Sequence, residues 1–138
     1  MPMEGTVLIS VNRKDKPEIA EIAKIFHACG FRLMATGNTW EIINEEGIPA
    51  VKVRKQYEGR PNILDYMTNG EIQLIVNSPV GKDSIHDDSY LRRNAIRLRI
   101  PYITTVAAAR AAAEGILYMK KHEAGQIRSL QEWHGMIH

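Results

Sequence analysis

The sequence is poor in cysteine, aromatic residues and long apolar runs, and neither charge dominates it. Cys29 is the single cysteine, and 7% of the 138 residues are aromatic. One cysteine cannot form an internal disulfide, which is typical of a reducing compartment. No apolar run approaches the ~18 residues that a membrane-spanning helix needs, and the first residues lack a basic and apolar signal pattern. We therefore expect a cytoplasmic protein that does not associate with a membrane.

The balance of charge and composition describes an ordinary globular domain. Eighteen basic and sixteen acidic residues give a formal net charge of +2, too balanced for a protein that coats nucleic acid. The hydrophobic share is 44% and the charged share 25%, both near the average for globular proteins. Since the sequence has no Ser/Gly-rich linker and no internal repeat, it predicts a single domain over 1–138, with a core over about 6–121 and a helical tail over about 122–138.

Apolar runs and helical patterns alternate along the chain. Short apolar or β-branched runs predict five strands, at 6–11, 31–35, 50–53, 72–77 and 102–106. The patterns between and after them predict helices, at about 15–29, 38–46, 63–68, 88–98, 105–121 and from 129 onward. This alternation is typical of the α/β class, with a doubly wound parallel sheet covered by helices on both faces, in three layers.

Polar and basic residues follow the predicted strands, where a doubly wound fold binds its ligands. Lys16 lies near the start of the first helix, Thr36-Gly37-Asn38-Thr39 follows the second strand, and Lys55 follows the third. Asn77-Ser78 closes the fourth strand. Any one of these turns is explained equally well by helix capping. Their convergence on one edge favours a small ligand that carries a phosphate group.

Other candidate sites are weaker. His134 and His138 have helical spacing but no evident third ligand, so we predict no metal site. Arg92-Arg93 indicates a solvated or ion-paired helix face more than a phosphate site, and His86-Asp87 fits a helix start better than a catalytic pair. The phosphate-loop and dinucleotide-binding glycine patterns are both missing from the sequence.

Several short motifs follow one another in a recognisable order. They are Thr36-Gly37-Asn38-Thr39, Glu58-Gly59-Arg60-Pro61-Asn62-Ile63, Asn69-Gly70-Glu71-Ile72, Asn77-Ser78-Pro79, Arg92-Arg93, Ile100-Pro101-Tyr102-Ile103-Thr104-Thr105 and Ser129-Leu130-Gln131-Glu132-Trp133-His134. Together they resemble the methylglyoxal-synthase-like domain at the C-terminus of the carbamoyl-phosphate synthetase large subunit. The resemblance covers nearly the whole chain, and the second and sixth motifs are the most specific.

The resemblance implies a sheet of order 3-2-1-4-5 and a regulatory domain that binds allosteric effectors. In bacterial members UMP inhibits, IMP shares its site and ornithine activates near the junction with the rest of the subunit. Position by position, the family's nucleotide contacts fall on Ser10, Lys16, Thr36, Thr39, Lys55 and Asn77. Its ornithine contacts fall on Tyr102 and Thr104. Ser78-Pro79 departs from members that carry a further threonine there, so one hydroxyl contact is missing.

The same resemblance implies a parent enzyme and its partners. That enzyme is an ATP-dependent ligase of pyrimidine and arginine biosynthesis that uses Mg and K, whereas this domain needs no cofactor. The implied partners are the nucleotide effectors, the rest of the large subunit and the glutaminase small subunit, and a homo-oligomer is compatible with the family.

Methylglyoxal synthase, which shares the fold, is the alternative. That enzyme carries its catalytic carboxylate in a stretch that matches Glu58-Gly59-Arg60-Pro61 here, and Arg60 occupies the position of the carboxylate. An arginine is permanently protonated and cannot take a proton from the substrate. His86-Asp87 matches a pair in the synthase but does not replace the base. The sequence therefore favours an effector-binding domain without catalytic residues.

Overall fold

The fold alternates strands and helices along the whole described chain. The computed structural model describes residues 2–11, 16–55, 58–78 and 81–134, and the side chains among these other than those of 16, 81–88 and 123–134. Its elements are β1 (Thr6–Val11), α1 (Lys16–Ala28), β2 (Arg32–Thr36), α2 (Gly37–Glu45), β3 (Val51–Val53), α3 (Ile63–Thr68), β4 (Leu74–Ser78), α4 (Gly81–Arg97), β5 (Tyr102–Ile103) and α5 (Val106–His134).

The strands form one parallel sheet. Its five strands lie in the order β3-β2-β1-β4-β5, which confirms the predicted class and strand order. The central strands β1 and β4 pair in a register that sets Ser10 beside Asn77 and Val11 beside Ser78. Because all strands run the same way, their carboxyl ends lie along one edge of the sheet, and every strand-end residue discussed above belongs to that edge.

A separate apolar cluster covers each face of the sheet. On one face α1, α2 and α5 pack over β1, β2 and β4, and the rings of Phe26 and Phe31 meet edge to face at 5.7 Å. On the other face α3 and α4 pack over Leu8, Ile75 and Val53. Burial on both sides explains why β1 and β4 are nearly continuous apolar runs. Among the described helices, none is both long and apolar enough to cross a membrane.

The structure differs from the sequence prediction at several helix ends. Helix α2 begins at Gly37 with Thr36 as its cap, rather than at Asn38 or Thr39, because Thr36 is still extended and Gly37 turns the chain with a φ of +40°. Helix α4 begins at Gly81 rather than near residue 88, since its first turns are too polar to show an apolar period.

The predicted break between two C-terminal helices is wrong. A single helix, α5, runs from Val106 to His134. Gly125 is the one weak helix former between the two predicted helices, and a glycine inside a helix costs only about 1 kcal/mol. At its start the prediction is confirmed, because Thr105 Oγ1 accepts a hydrogen bond from the Ala108 amide at 3.1 Å.

Candidate functional site

A hydrogen bond between two hydroxyl groups joins the carboxyl ends of β1 and β2. Thr36 Oγ1 donates to Ser10 Oγ over 2.8 Å. Thr36 is buried and occupies the N-cap position of α2, but its side chain makes no hydrogen bond to the first turn of that helix. The first turn also contains no acidic residue. The start of α2 therefore keeps its positive partial charge beside this pair of hydroxyl groups.

Thr39 ties the first turn of α2 to the end of β1. Its Oγ1 accepts a hydrogen bond from the Val11 amide at 3.1 Å and lies 3.5 Å from the Val11 carbonyl oxygen. Thr39 is 3% exposed, so this contact fixes the start of α2 against the strand. Thr39 therefore lies inside the first turn of α2, with its hydroxyl engaged by the backbone of β1, and its contact with a nucleotide stays a prediction.

Asn77 and Tyr102 bring the ends of β4 and β5 together. Asn77 Nδ2 donates to the phenol oxygen of Tyr102 at 2.6 Å. The guanidinium of Arg92 lies over the Tyr102 ring, 5.5 Å from its centroid, in a cation–π contact. This link could not be predicted from the sequence, because no local pattern relates residues on different elements. The sequence indicates a solvated or ion-paired helix face for Arg92, and in the structure Arg92 is exposed, with its guanidinium also over an aromatic ring.

Lys55 follows β3 at the same edge. Its amide donates to Glu58 Oε1 at 2.7 Å, which closes a turn into the segment that carries Arg60. Arg54 reaches over this segment and donates to the Arg60 carbonyl oxygen at 2.9 Å. The hydrogen bond to Glu58 fixes the backbone of Lys55 at this edge, and the residue is half-buried.

Arg60 forms a two-point ion pair with Asp65. Its Nη2 lies 2.5 Å from Oδ1 and its Nε lies 3.3 Å from Oδ2 of the carboxylate. The Asn62 amide also donates to Asp65 Oδ2, at 2.8 Å, within a capping box that begins α3. The hydrogen bond from Arg60, followed by that from Asn62, holds the pKa of Asp65 below its usual range. This carboxylate is therefore a weaker base than an ordinary aspartate.

The topology places all six predicted nucleotide-binding residues at one edge of the sheet. They are Ser10, Lys16, Thr36, Thr39, Lys55 and Asn77. Lys16 is the first residue of α1, and its side chain lies outside the described residues. Thr104, predicted with Tyr102 to bind ornithine, follows β5 and is half-buried. Contact of these residues with a ligand stays a prediction.

A cleft of about 480 Å³ lies at the opposite edge of the sheet. Its lining comes largely from the residues that precede β4 and β5 and from α3, and it mixes apolar side chains such as Met67, Ile72 and Leu98 with polar ones such as Gln73 and Arg99. Ligands of doubly wound sheets bind beyond the carboxyl ends of the strands, and the polar groups described above converge there. We therefore take the carboxyl edge, rather than this cleft, as the candidate site.

In the described part of the chain, no three His, Cys, Asp or Glu residues lie close enough together to hold a metal ion. The side chains of His134 and His138, and those of His86 and Asp87, lie outside the described residues.

Solved structures of other proteins share this fold. Methylglyoxal synthase from Elizabethkingia anophelis NUHP1 superposes with a TM-score of 0.64 at 15% identity, covering 82% of this chain and 79% of that one. A structure titled ForH gives a TM-score of 0.54 at 14% identity, covering 88% and 82% of the two chains. Likeness at this level of identity shows a shared fold.

Comparison of sequences shows closer relatives. The carbamoyl phosphate synthase large chain of Gemmatimonas aurantiaca is 47% identical over 99% of this chain, and the match spans 12% of that relative. The C-terminal section of the same large chain from Methanopyrus kandleri is 48% identical over 88% of this chain and 22% of the relative. The chain thus spans a small fraction of the length of the curated relatives it matches.

The family model described as "MGS-like domain" matches residues 18–104. With the parallel sheet of order 3-2-1-4-5, these matches establish that the chain belongs to the family of MGS-like domains and is homologous to part of the carbamoyl phosphate synthase large chain.

Proposed function

We propose that this chain is an allosteric domain of a carbamoyl-phosphate synthase large chain and binds a nucleoside monophosphate, UMP or IMP, at the carboxyl edge of its sheet. The observation that carries the proposal is the start of α2. There a helix N-terminus without a side-chain cap lies beside the hydrogen-bonded hydroxyl groups of Ser10 and Thr36. Backbone amides at such a terminus and adjacent hydroxyl donors are suited to a phosphate group.

The two lysines add the charge that a phosphate monoester needs. Lys55 follows β3 and Lys16 opens α1, so both belong to elements at the same edge of the sheet as the start of α2. Hydrogen bonds between a lysine and a phosphate are charge-assisted and roughly twice as strong as neutral ones. Asn77 contributes an amide from β4, on the other side of β1. This combination favours a ligand that joins an anion to a polar body, as a nucleotide does.

Thermal unfolding with a set of ligands tests this function. UMP or IMP at about 100 times its dissociation constant should stabilise the fold by ~2.7 kcal/mol and raise its melting temperature. Uridine should give almost no shift, because the amides, hydroxyls and lysines of the site recognise the phosphate. A shift with uridine as large as that with UMP would place the recognition elsewhere, and no shift with either nucleotide would reject the function.

The names of the relatives support a proposal about the parent enzyme. We propose that the complete protein is a cytoplasmic ATP-dependent ligase that uses Mg and K, acts in pyrimidine and arginine biosynthesis and works with a glutaminase small subunit. Within it this domain would sense effectors and contain no catalytic residue.

We further propose that ornithine binds near Tyr102 and Thr104, where β5 ends. In that enzyme, Thr104→Ala should weaken activation by ornithine and leave inhibition by nucleotide intact.

The chain is not expected to act as a methylglyoxal synthase. Arg60 stands where that enzyme carries its base, and the nearby Asp65 is held by Arg60 and by the Asn62 amide with a lowered pKa. A carboxylate bound in this way is poorly suited to remove a proton from dihydroxyacetone phosphate. An assay for methylglyoxal with that substrate should show no enzymatic release. Release that is lost in Asp65→Asn or Asp87→Asn would restore the enzyme hypothesis.

A further inference from the structure

A row of polar side chains crosses four of the five strands at the carboxyl edge. Ser10 is paired in register with Asn77, and Ile9 with Ala35, which sets Ser10 beside Thr36. Side chains at matched positions of parallel strands lie on the same face of the sheet. The row therefore lies on the face covered by α3 and α4. Its four members form two hydrogen-bonded pairs, Thr36 with Ser10 and Asn77 with Tyr102.

Only the side chain of Tyr102 lies in this row, because its backbone is nearer the amino end of the sheet than that of Asn77. In the register of β4 and β5 its partner is Ile75, two residues before Asn77. Two residues of strand are about 6.6 Å, a distance that a tyrosine side chain spans. The phenol oxygen thereby meets the Asn77 amide at 2.6 Å, while Arg92 of α4 lies over the ring at 5.5 Å from its centroid. Tyr102 is thus held by contacts at two different parts of its side chain.

We propose that Tyr102 is a positioning residue for the effector site, which it serves by fixing the plane of the Asn77 amide. The inference rests on the proposed function, since it concerns how the nucleotide site is organised. Asn77 is 8% exposed, so its amide is enclosed by the protein and its orientation is set by neighbouring groups rather than by open solvent. A planar amide has two ends of opposite hydrogen-bonding character, and a rotation of 180° exchanges them. The phenol oxygen of Tyr102 can accept from the NH₂ end or donate to the carbonyl end, so the bond fixes the plane of the amide rather than the choice of the end that faces β5.

Removal of one oxygen atom tests the proposal. In Tyr102→Phe the ring and its contact with Arg92 remain, and the hydrogen bond to Asn77 is lost. Binding of UMP to the whole chain, measured by calorimetry, should weaken about three- to tenfold, the range of one hydrogen bond. Tyr118→Phe is the matched control, because Tyr118 lies on α5 with 68% of its surface exposed. That variant should bind UMP as the parent chain does.

A double-mutant cycle separates positioning from a direct or merely structural role. Asn77→Ala should itself weaken binding of UMP, and Tyr102→Phe should cause no further loss in that background, because its effect acts through the missing amide. The melting temperatures of the unliganded variants report any loss of folding. If Asn77→Ala weakens binding while Tyr102→Phe does not, or if the two losses multiply in the double variant, the inference is wrong and the proposed function stands. If the parent chain binds neither UMP nor IMP, both are wrong.

Discussion

Lys55→Ala is expected to weaken binding of UMP about ten- to a hundredfold while the unliganded protein keeps nearly its full stability. A charge-assisted hydrogen bond to a phosphate contributes ~1.5–3 kcal/mol, and ~1.4 kcal/mol corresponds to a factor of ten in affinity. Lys55 lies after the end of β3, outside both apolar clusters, so its removal should disturb the folded core little. Calorimetric titration of the variant with UMP measures the loss of affinity, and a melting curve without ligand measures stability.

The same titration with two further variants shows whether the effect belongs to the site. Lys16→Ala removes the second predicted lysine and should weaken UMP binding by a similar factor. Lys24→Ala removes the same charge two turns further along α1, where the side chain is exposed and lies 3.6 Å from Glu46. It should leave affinity unchanged apart from a small long-range term that salt screens. Full affinity in both Lys16→Ala and Lys55→Ala, or an equal loss in Lys24→Ala, would rule out the assigned phosphate site.

The sequence predicts the strands and the residues of the candidate site by different kinds of pattern. The run Thr6–Val11 was predicted with its observed bounds, because a strand buried on both faces must be apolar almost throughout. The strand order came from the resemblance, since periodicity does not fix which strands are neighbours. Thr36 and Lys55 were identified by their place after strands, and the parallel sheet brings such places to one edge.

The contacts within the site could not be predicted in the same way. The hydrogen bond from Asn77 to Tyr102 depends on the register of β4 and β5, in which Tyr102 pairs with Ile75, two residues before Asn77. No sequence pattern predicts the register between two separate strands. Asn77 was predicted for the nucleotide and Tyr102 for ornithine. The structure joins these two residues by one hydrogen bond, so the two proposed effector sites would share a wall. This contact gives a direct physical route by which one ligand could alter the binding of the other.

Gly5→Ala is expected to destabilise the fold by about 2–6 kcal/mol. Gly5 precedes β1 with a φ of +117°, a conformation that costs other residues ~1–3 kcal/mol. An added Cβ would lie 2.3 Å from Gln73 Oε1 and 2.7 Å from its Cδ, too close for the side chain to stay. Gln73 Oε1 accepts from the Thr6 amide at 2.6 Å, so moving it breaks a partly buried bond worth ~1–3 kcal/mol. Denaturant unfolding measures the change.

Gly115→Ala is the matched control and should have the opposite sign. Gly115 lies in the exposed part of α5, and an added Cβ would meet nothing within 4 Å. Alanine inside a helix is favoured over glycine by about 0.5–1 kcal/mol, so this variant should be slightly more stable than the parent chain. The Gly5 site lies at the amino edge of the sheet, away from the proposed effector site, so Gly5→Ala should keep the affinity for UMP wherever it remains folded. If Gly5→Ala unfolds at the same denaturant concentration as the parent chain, Gln73 does not hold the start of β1.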